Sequence, residues 1–360
     1  MRNVFYIVQN IKKVNNVAFK APDDIEEICQ KRDFKRFSVE CFPGRKNILY
    51  QKIWIATYCV GWWVKLYNLL KPGDIVLYQH PLYGIRIAMS WIRKAHIEKG
   101  CKFIALIHDL PTLRGHIHGS PKGNKKTETL SDTELLKCFD AVICHNMKMR
   151  EYLIGQGFNA DRLISLEIFD YLMDRDITDE KCNLTCSVAI AGNLNIHKSA
   201  YIYKINDRGN NSGLQINLFG SGVSSDHLTE KMNWYGSFDP DELPLKLKGS
   251  FGLVWDGNSA ETCSGNMGNY LRYNNPHKTS LYLAAGLPVI IWREAAMADF
   301  IIKHNVGIVV DSLYELENKI NNVTDEEYRT MRSNAIEIGR RLRKGCYFQT
   351  ALDKALDLVY

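Results

Sequence analysis

The chain has 360 residues, of which 46% are hydrophobic and 24% charged, and its formal net charge is +6. This length and apolar content exclude a disordered chain and suffice for two domains, each with its own core. The basic residues are spread along the chain rather than gathered on one helix. That distribution argues against a nucleic-acid-binding protein and is compatible with a small anionic ligand.

The first half of the chain alternates short β-branched and aromatic runs with amphipathic stretches of helical length. The predicted strands are Val4–Val8, Phe37–Cys41, Ile75–Tyr78, Phe103–His108, Ala141–His145 and Leu163–Ile168, and the predicted helices include Asp24–Lys31, Ile85–Lys99 and Met147–Gly155. Such alternation is typical of a parallel sheet wrapped by helices. We therefore predict an N-terminal α/β domain over residues 1–170.

A polar segment without clear periodicity, Asp170–Cys186, is interpreted as an interdomain linker. A second alternating series follows it, with strands predicted at Ser187–Ala191, Ile216–Phe219, Phe251–Trp255, Pro288–Ile291 and Gly307–Val310. This series predicts a second parallel sheet, over residues 187–344, which ends in the helix Asp325–Lys344. Residues 345–360, with a helix at Thr350–Val359, are expected to return to the N-terminal domain.

Two features bear on location and redox state. The first ten residues predict a strand without the long apolar region of a signal peptide, and Lys65 and Asn68 interrupt the apolar stretch Ile53–Leu70. We therefore expect a cytoplasmic protein without a membrane-spanning helix. The ten cysteines are scattered and lack CxxC spacing, which favours reduced and mostly buried thiols.

The segment from Asn275 to Ile290 predicts a helix with clear signals at both ends. Asn275 is a favoured N-cap, Pro276 suits the first helical position, and Gly286 suits the residue after the helix, where φ is positive. The helix start offers unpaired N–H groups and the positive end of the helix dipole, to which Lys278 adds a full charge. This pattern predicts an anion site; a lysine that merely points into solvent is the alternative.

Several polar or glycine-rich segments follow predicted strands, where open α/β sheets place ligand-binding loops. Asn193 and Lys198 follow the first strand of the second series. Gly220, Ser221 and Gly222 follow the next strand, and glycines there permit a tight turn close to a ligand. Tyr235 offers an aromatic ring suited to a uracil base, with an ordinary core role as the alternative. For Lys198 the alternative is a solvated surface lysine.

The run NNPHKTSLYLAAGLPVI at residues 274–290 carries a family resemblance, together with AGNL at 191–194, LFGSG at 218–222, WYG at 234–236 and FGLVWD at 251–256. The chain resembles a glycosyltransferase family of the two-domain GT-B kind. Its members include bacterial glucosyltransferases that extend O-linked N-acetylglucosamine on serine-rich adhesins, and galactofuranosyltransferases of polysaccharide synthesis. The resemblance covers nearly the whole chain, including a loop between Val14 and Asp24 and the run IHDL at 107–110 followed by Arg114.

The resemblance implies two Rossmann-like domains whose parallel sheets face a cleft. It further implies that a UDP-sugar donor binds mainly to the C-terminal domain, and that a hexose passes to an acceptor glycan entering from the N-terminal domain. No cofactor besides this co-substrate is expected. We predict donor contacts at Asn193, Lys198, Gly220, Ser221, Tyr235, Asp256, Asn274, Asn275, Lys278 and Thr279. Acceptor contacts are predicted at Asn15, Asn16, Lys20 and Arg114.

A direct displacement at the sugar needs a base that takes the proton of the acceptor hydroxyl. Asp109 is the candidate, because it follows the strand Phe103–Ile107 at the edge that faces the cleft in such folds. His108 is the second candidate. For both residues the alternative is a structural role as a cap of the following loop.

Other interpretations were weighed against this one. Asp174-Arg175-Asp176 matches the manganese-binding Asp-x-Asp pattern of GT-A enzymes, but it lies in the predicted linker. His116 and His118 lack a third ligand at suitable spacing, so metal-independent transfer is predicted. The loop after the first strand contains no glycine, which excludes the usual dinucleotide fingerprint.

The sequence is compatible with further alternatives for activity, location, assembly and acceptor. The chain could be a non-catalytic subunit that binds a nucleotide-sugar or glycan. Trp62, Trp63, Lys65 and Tyr67 could hold it at a membrane that carries a lipid-linked acceptor, with core burial of the tryptophans as the alternative. A homo-oligomer is equally compatible with the sequence, as is a glycan or glycoprotein acceptor.

Overall fold

The computed structural model describes residues 2–10, 20–40, 47–82, 84–115, 131–177 and 183–360. Within these ranges the chain forms two separate sheets, each of six parallel strands. Helices form the connections between the strands. The prediction of an α/β protein with two Rossmann-like sheets is confirmed.

The N-terminal sheet consists of β1 (Val4–Asn10), β2 (Lys35–Glu40), β3 (Ile75–His80), β4 (Lys102–Ile107), β5 (Ala141–Cys144) and β6 (Leu163–Ser165). Their spatial order is β2-β1-β3-β4-β5-β6. The accompanying helices are α1 (Lys20–Lys31), α2 (Ile48–Trp54), α3 (Val60–Leu69), α4 (Ile85–Lys99), α5 (Asp132–Leu136) and α6 (Met147–Gly155). A π-helical turn, Ile55–Cys59, joins α2 directly to α3.

The C-terminal sheet consists of β7 (Ser187–Asn193), β8 (Gln215–Ser221), β9 (Met232–Trp234), β10 (Phe251–Val254), β11 (Val289–Trp292) and β12 (Gly307–Val310). Its order, β12-β11-β10-β7-β8-β9, reverses direction between β7 and β10. The accompanying helices are α7 (Ile196–Ser199), α8 (Leu243–Lys246), α9 (Gly265–Tyr270), α10 (His277–Ala284), α11 (Ala298–Lys303), α12 (Leu316–Asn321), α13 (Asp325–Arg343) and α14 (Cys346–Val359).

The two last helices belong to different halves of the molecule. Helix α13 packs against α10 of the C-terminal half, whereas Phe348, Leu352 and Val359 of α14 share a core with the strands of the N-terminal sheet. Gly345 makes the sharp turn between them with a φ of 71°. The carboxylate of Asp170 accepts hydrogen bonds from the backbone N–H groups of Tyr347 and Phe348 at the start of α14, at 3.2 and 2.6 Å.

The predicted linker is shorter than expected. Phe169, Asp170, Tyr171 and Leu172 are buried between the two halves, because their neighbours are the sheet cores on one side and α14 on the other. The polarity of Asp170 suggested an exposed linker. The residue is instead buried, because its carboxylate accepts hydrogen bonds from the first turn of α14.

The two tryptophans proposed for membrane contact are core residues. Trp62 and Trp63 are buried, and their rings stack on each other at 4.6 Å. Five of the eight described cysteines are buried, and none of the eight forms a disulfide. Within the ranges given above, none of the helices combines the length and apolar character that a membrane crossing needs.

Candidate active site

The C-terminal half brings its charged candidates together where the strand order reverses, between β7 and β10. Ligands of open α/β sheets bind in the crevice outside the carboxyl ends of the strands at such a point. Asn193 ends β7 and Asp256 lies two residues beyond β10. Helix α10 packs on β10, and its Tyr282 hydroxyl accepts a hydrogen bond from the backbone N–H of Ala191 in β7 at 2.8 Å. The topology therefore forms a ligand crevice from these three segments.

Lys278 belongs to the first turn of α10, and its side chain extends across this crevice. Its Nζ is 3.3 Å from the backbone oxygen of Trp255 and 3.4 Å from Oδ1 of Asp256. Its side chain passes over Gly192, where a β-carbon would be 3.5 Å from Cε of the lysine. Burial lowers the pKa of Lys278, but the attraction of Asp256 together with the contributions of Tyr201 and Tyr282 outweighs burial and raises the pKa above its usual value. The lysine is therefore cationic at neutral pH.

A second lysine and an arginine extend the positive charge. Burial lowers the pKa of Lys198, Asp256 opposes that shift, and the charges of Lys278 and Arg114 add to it, so the net pKa is below the usual value. Arg114 comes from the N-terminal half, where it is paired with Asp109. Three cations thus share two carboxylates across the crevice, and an anion placed among them would remove their mutual repulsion.

Asn275 ties the two halves together. Its Nδ2 donates to the backbone oxygens of His145 at 2.6 Å and Glu167 at 3.2 Å, and its Oδ1 accepts from Nδ2 of Asn146 at 2.7 Å. Its backbone N–H donates to Nδ1 of His145 at 2.9 Å. The capping prediction was wrong by one residue: α10 is preceded by Pro276 without a side-chain cap, because the amide of Asn275 is engaged across the interface.

Two other residues predicted at the helix start are turned inward. Thr279 is completely buried, and its backbone N–H donates to the oxygen of Pro276 at 2.9 Å. Its Oγ1 has no hydrogen-bond partner among the described residues, and the donor contact stays a prediction. Asn274 is half-buried, and its Oδ1 has no hydrogen-bond partner among the described residues.

Gly220 serves strand packing rather than a tight turn. It lies within β8 opposite Gly192 of β7, with a φ of 144°. A β-carbon on Gly220 would collide with the backbone oxygen of Gly192. The predicted turn is wrong at this residue, because the two strands approach each other too closely for any side chain. Asn193 and Ser221, opposite each other at the strand ends, are exposed at the same edge.

The aromatic candidates at this edge differ in exposure. The ring of Tyr235 stacks on Phe219 at 5.0 Å and has Nζ of Lys248 over it at 4.7 Å, contacts of a packed residue. Trp234 is 49% exposed, and its Nε1 donates to the backbone oxygen of Gly220 at 2.9 Å. Sequence reasoning missed Trp234 as a stacking surface. Its position at the end of β9 was the available signal.

The N-terminal half supplies a histidine at the carboxyl end of each of three neighbouring strands. His80 ends β3, His108 follows β4 and His145 follows β5. The ring of Phe169 lies 5.6 Å from His108, 5.0 Å from His145 and 4.6 Å from His277 of α10. This histidine cluster was not recognised in the sequence, because its members are spread over nearly 200 residues.

Burial keeps three of these histidines, His108, His145 and His277, uncharged. It lowers the pKa of His108 and of His145 to about 3, with smaller contributions from His277 in both cases, and the pKa of His277 to about 4. Nε2 of His108 is 2.7 Å from Oε1 of Gln79, whose Nε2 points to the backbone oxygen of Ile7 at 3.4 Å. This amide orientation assigns the proton of His108 to Nε2 and leaves a lone pair on Nδ1.

Asp109, the candidate base, lies at the contact between the halves. Its carboxylate is paired with Arg114, whose Nε and Nη2 lie 3.3 and 3.2 Å from Sδ of Met267. The hydroxyl of Tyr270 accepts from the backbone N–H of Leu110 at 2.9 Å. The ion pair supports the structural alternative, in which Asp109 orients its loop. The side chain is nevertheless 30% exposed.

The acceptor candidates are only partly covered by the structure. Asn15 and Asn16 lie outside the described residues. Nζ of Lys20 forms ion pairs of 2.7 Å with Asp24 of its own helix and with Asp241 of the C-terminal half. The geometry thus gives Lys20 a contact between the halves. Arg114 lies close enough to Lys198 for its charge to lower the pKa of that lysine.

The described candidates for metal binding, Asp174 and Asp176, do not form a metal site with other side chains. Oδ1 of Asp176 is 3.7 Å from Nη2 of Arg343 and the side chain is 86% exposed. His116 and His118 lie outside the described residues. In the part of the chain that the structure covers, no group of three histidine, cysteine, aspartate or glutamate side chains is placed to hold a metal ion. Metal independence stays a prediction.

Comparison with known proteins shows the family. Residues 4–168 match the N-terminal domain and residues 188–355 the C-terminal domain of the family described as glucosyltransferase 3-like. The chain is 33% identical to the β-1,6-galactofuranosyltransferase WbbI of Escherichia coli K12, over 95% of both chains. It is 27% identical to glucosyltransferase 3 of Streptococcus gordonii, over 79% of both chains.

Solved structures show the same architecture at low sequence identity. Anabaena Alr3699/HepE, solved in complex with UDP and glucose, superposes with a TM-score of 0.58 at 12% identity and covers 97% of this chain and 99% of its own. This similarity concerns the fold, which is GT-B. Since the family's domains match both halves in order, the chain belongs to the glucosyltransferase 3-like family of glycosyltransferases.

Proposed function

We propose that the protein transfers a hexose from a UDP-sugar to a sugar acceptor in glycan or polysaccharide synthesis. The observation that carries the proposal is the position of Lys278, at a helix start and over Gly192 in the crevice between β7 and β10. Backbone N–H groups, the helix dipole and a lysine at one point bind a diphosphate well. WbbI transfers galactofuranose by name, and HepE was solved with UDP and glucose, which supports this donor class.

In this proposal the two halves have separate tasks. Lys278, Lys198 and Arg114 hold the diphosphate and stabilise the charge that develops on it as the bond to the sugar breaks. Asn193, Ser221 and Trp234, at the same strand edge, bind the nucleoside or sugar. The acceptor hydroxyl approaches from the N-terminal half and gives its proton to Asp109, with His108 as the second candidate. The UDP-sugar is the only co-substrate, and no metal ion takes part. The transfer takes place in the cytoplasm.

A screen of UDP-sugars tests this function. Purified protein is incubated with UDP-glucose, UDP-galactose or UDP-galactofuranose and a panel of glycan, glycoprotein and lipid-linked acceptors, and released UDP is measured. We expect one donor to release UDP faster when an acceptor is present. A non-catalytic subunit would bind UDP in calorimetry but release none from any donor with any acceptor, and that result would contradict the proposal.

A further inference from the structure

One long surface of the N-terminal half has no partner in the fold described so far. Helix α2, the π-helical turn and α3 run as one continuous helix from Ile48 to Leu69. Its inner side is formed by Cys59, Trp62, Trp63 and Leu66, which are buried in the N-terminal core. Its outer side exposes Leu49, Ile53, Tyr58, Val64 and Leu69, with Leu49 66% and Ile53 54% exposed. We call these five residues the apolar helix face.

The charges around the apolar helix face have one sign. Residues 41–73 contain no aspartate or glutamate, but they contain Arg45, Lys46, Lys52, Lys65 and Lys71. Of these, Lys52 and Lys65 are exposed on the same outer side of the helix as the apolar residues. An exposed helix side that combines large apolar side chains with lysines and lacks acids is typical of helices that lie on membranes.

The neighbouring helix α4 adds further positive charge. Gly84, just before α4, lies against Ile55 and Cys59 of the π-helical turn, and Nζ of Lys94 lies over the ring of Tyr67 at 5.0 Å. The two helices therefore run side by side, and α4 exposes Arg86, Arg93 and Lys94. The exposed acid of α4, Glu98, is already engaged by Lys94 at 3.9 Å and by the hydroxyl of Tyr67.

Helix α13 shows what an ordinary solvated helix of this protein looks like. Its outer side carries both signs of charge, including Asp325, Glu326 and Arg329, and Glu337 paired with Arg340 at 2.7 Å. Its apolar residues, such as Met331, Ala335 and Leu342, are buried. The exposed apolar and exclusively basic character of the α2–α3 helix thus distinguishes it from α13.

We propose that the apolar helix face binds an anionic lipid bilayer, with the helix lying in the plane of the membrane surface. Leucine, isoleucine, valine and tyrosine side chains would enter the boundary between headgroups and acyl chains, while Lys52 and Lys65 pair with anionic headgroups. A second copy of this chain fits the same surface less well. A twofold contact would bring two patches of the same positive charge together, and like charges repel.

The position of the face gives it a use in the reaction. Gly84, which contacts the π-helical turn, is four residues beyond His80, the last residue of β3, at the sheet edge that also carries His108. A membrane under the apolar helix face would present a lipid-linked acceptor to this edge. That consequence rests on the proposed transferase function, whereas the membrane contact itself does not.

Vesicle sedimentation tests the membrane contact. The full-length protein is mixed with vesicles of two parts phosphatidylcholine to one part phosphatidylglycerol, or with vesicles of phosphatidylcholine alone. We expect binding to the anionic vesicles and at least about tenfold weaker binding to the neutral ones. The double variant Leu49→Ser/Ile53→Ser and the double variant Lys52→Glu/Lys65→Glu should each lose about tenfold or more in affinity.

The matched control is Ile302→Ser, which removes another exposed isoleucine, 58% exposed, from α11 of the C-terminal half. It should bind vesicles as the unchanged protein does. Thermal melting and UDP affinity are measured for every variant and should not change, since no altered residue belongs to the core or the donor crevice.

Three results would overturn the membrane contact. The first is that the unchanged protein fails to bind anionic vesicles. The second is that the Leu49→Ser/Ile53→Ser variant binds these vesicles as strongly as the unchanged protein does. The third is that ultracentrifugation shows an oligomer that this variant dissociates, while no protein binds vesicles. Failure of the transferase function would look different: vesicle binding would follow the variants as expected, but no donor would release UDP.

Discussion

The two sheets present opposite chemistry at the edges where they meet. The N-terminal edge carries His80, His108 and His145 at the ends of three neighbouring strands, and burial keeps the last two uncharged at neutral pH. The C-terminal edge carries Lys198 and Lys278 around Asp256. An anion is therefore attracted mainly to the C-terminal edge, with Arg114 of the N-terminal half nearby. The difference supports the proposal that the donor diphosphate binds the C-terminal half and the acceptor enters from the N-terminal half.

The strongest test of this division is Asp109→Asn. If Asp109 is the base, the variant should lose roughly 10²–10⁴-fold in kcat while its UDP affinity and melting temperature are unchanged. Initial rates, calorimetry with UDP and thermal melting check the three quantities. Asp207→Asn, an exposed aspartate of the C-terminal half, is the control.

Two other outcomes for Asp109→Asn are informative. A lower melting temperature together with a lower rate would show that the Asp109–Arg114 ion pair orients the loop, as the geometry also allows. Near-normal turnover in a folded, UDP-binding variant would end the proposal for Asp109 and make His108 the candidate.

The charged edge is tested by Lys278→Ala. The variant should bind UDP about 10- to 100-fold more weakly, because a charge-assisted contact with the diphosphate is lost. Isothermal titration calorimetry measures the affinity. Lys303→Ala removes an exposed lysine from the end of α11 and should leave it unchanged. Unaltered UDP binding by Lys278→Ala would remove this lysine from the site.

The uncharged edge is tested by the pH dependence of stability. The pKa of His145 is about 3 in the folded protein, below its ordinary value of 6.5. The neutral histidine therefore contributes to the unfolding free energy above about pH 6.5, and this contribution is lost as the pH falls towards 3. Between pH 8 and pH 5 the unchanged protein should lose about 2 kcal/mol more of its unfolding free energy than His145→Asn. Denaturant unfolding at both pH values measures this difference.

Two buried carboxylates change the unfolding free energy with pH in the opposite direction. The effect of His145 is therefore seen only in the difference between the unchanged protein and the variant. Burial raises the pKa of Asp24 and of Asp170 to about 7, so these groups stabilise the fold as the pH falls from about 7 towards 4. Their contribution is common to both proteins and cancels in the comparison. Equal pH dependence of the two proteins would show that His145 is not held in its neutral form.

The smallest effect is expected from metal removal. In the proposed mechanism cationic side chains and the helix start take the place of a metal at the diphosphate, so EDTA should leave the transfer rate unchanged. Rates are compared after EDTA treatment and after adding manganese. Loss of activity with EDTA and recovery with manganese would contradict the assignment of diphosphate binding to the lysines alone.

Local pattern was sufficient to predict much of the fold. The alternation of strand and helix runs predicted both sheets except the short strand β9, and Gly286, with a φ of 69°, follows α10 as expected. The helix predicted at Asp325–Lys344 is observed at Asp325–Arg343, because Thr324 and Glu327 form a capping box at its start. Signals of this kind act over a few residues and can be identified without knowledge of the fold.

The site was predicted less completely, since side-chain direction depends on contacts between distant segments. Asn275 has the sequence context of a cap, but His145 and Asn146, about 130 residues earlier, engage its amide. Thr279 is one residue after Lys278 and is buried, whereas the lysine lies over the crevice. Helical periodicity alone does not show which side of α10 meets the N-terminal half.

The sequence by itself determined the parallel α/β architecture and the position of the basic helix start, because periodicity and glycine punctuation are local, and its motifs carried the resemblance to the family. Only the tertiary structure decided which residues meet across the cleft. It gathered His108, His145 and His277 around Phe169 and placed Arg114 near the lysines of the other half. It also buried Trp62 and Trp63 and left Leu49 and Ile53 exposed, since a helix can bury only one of its sides against the core.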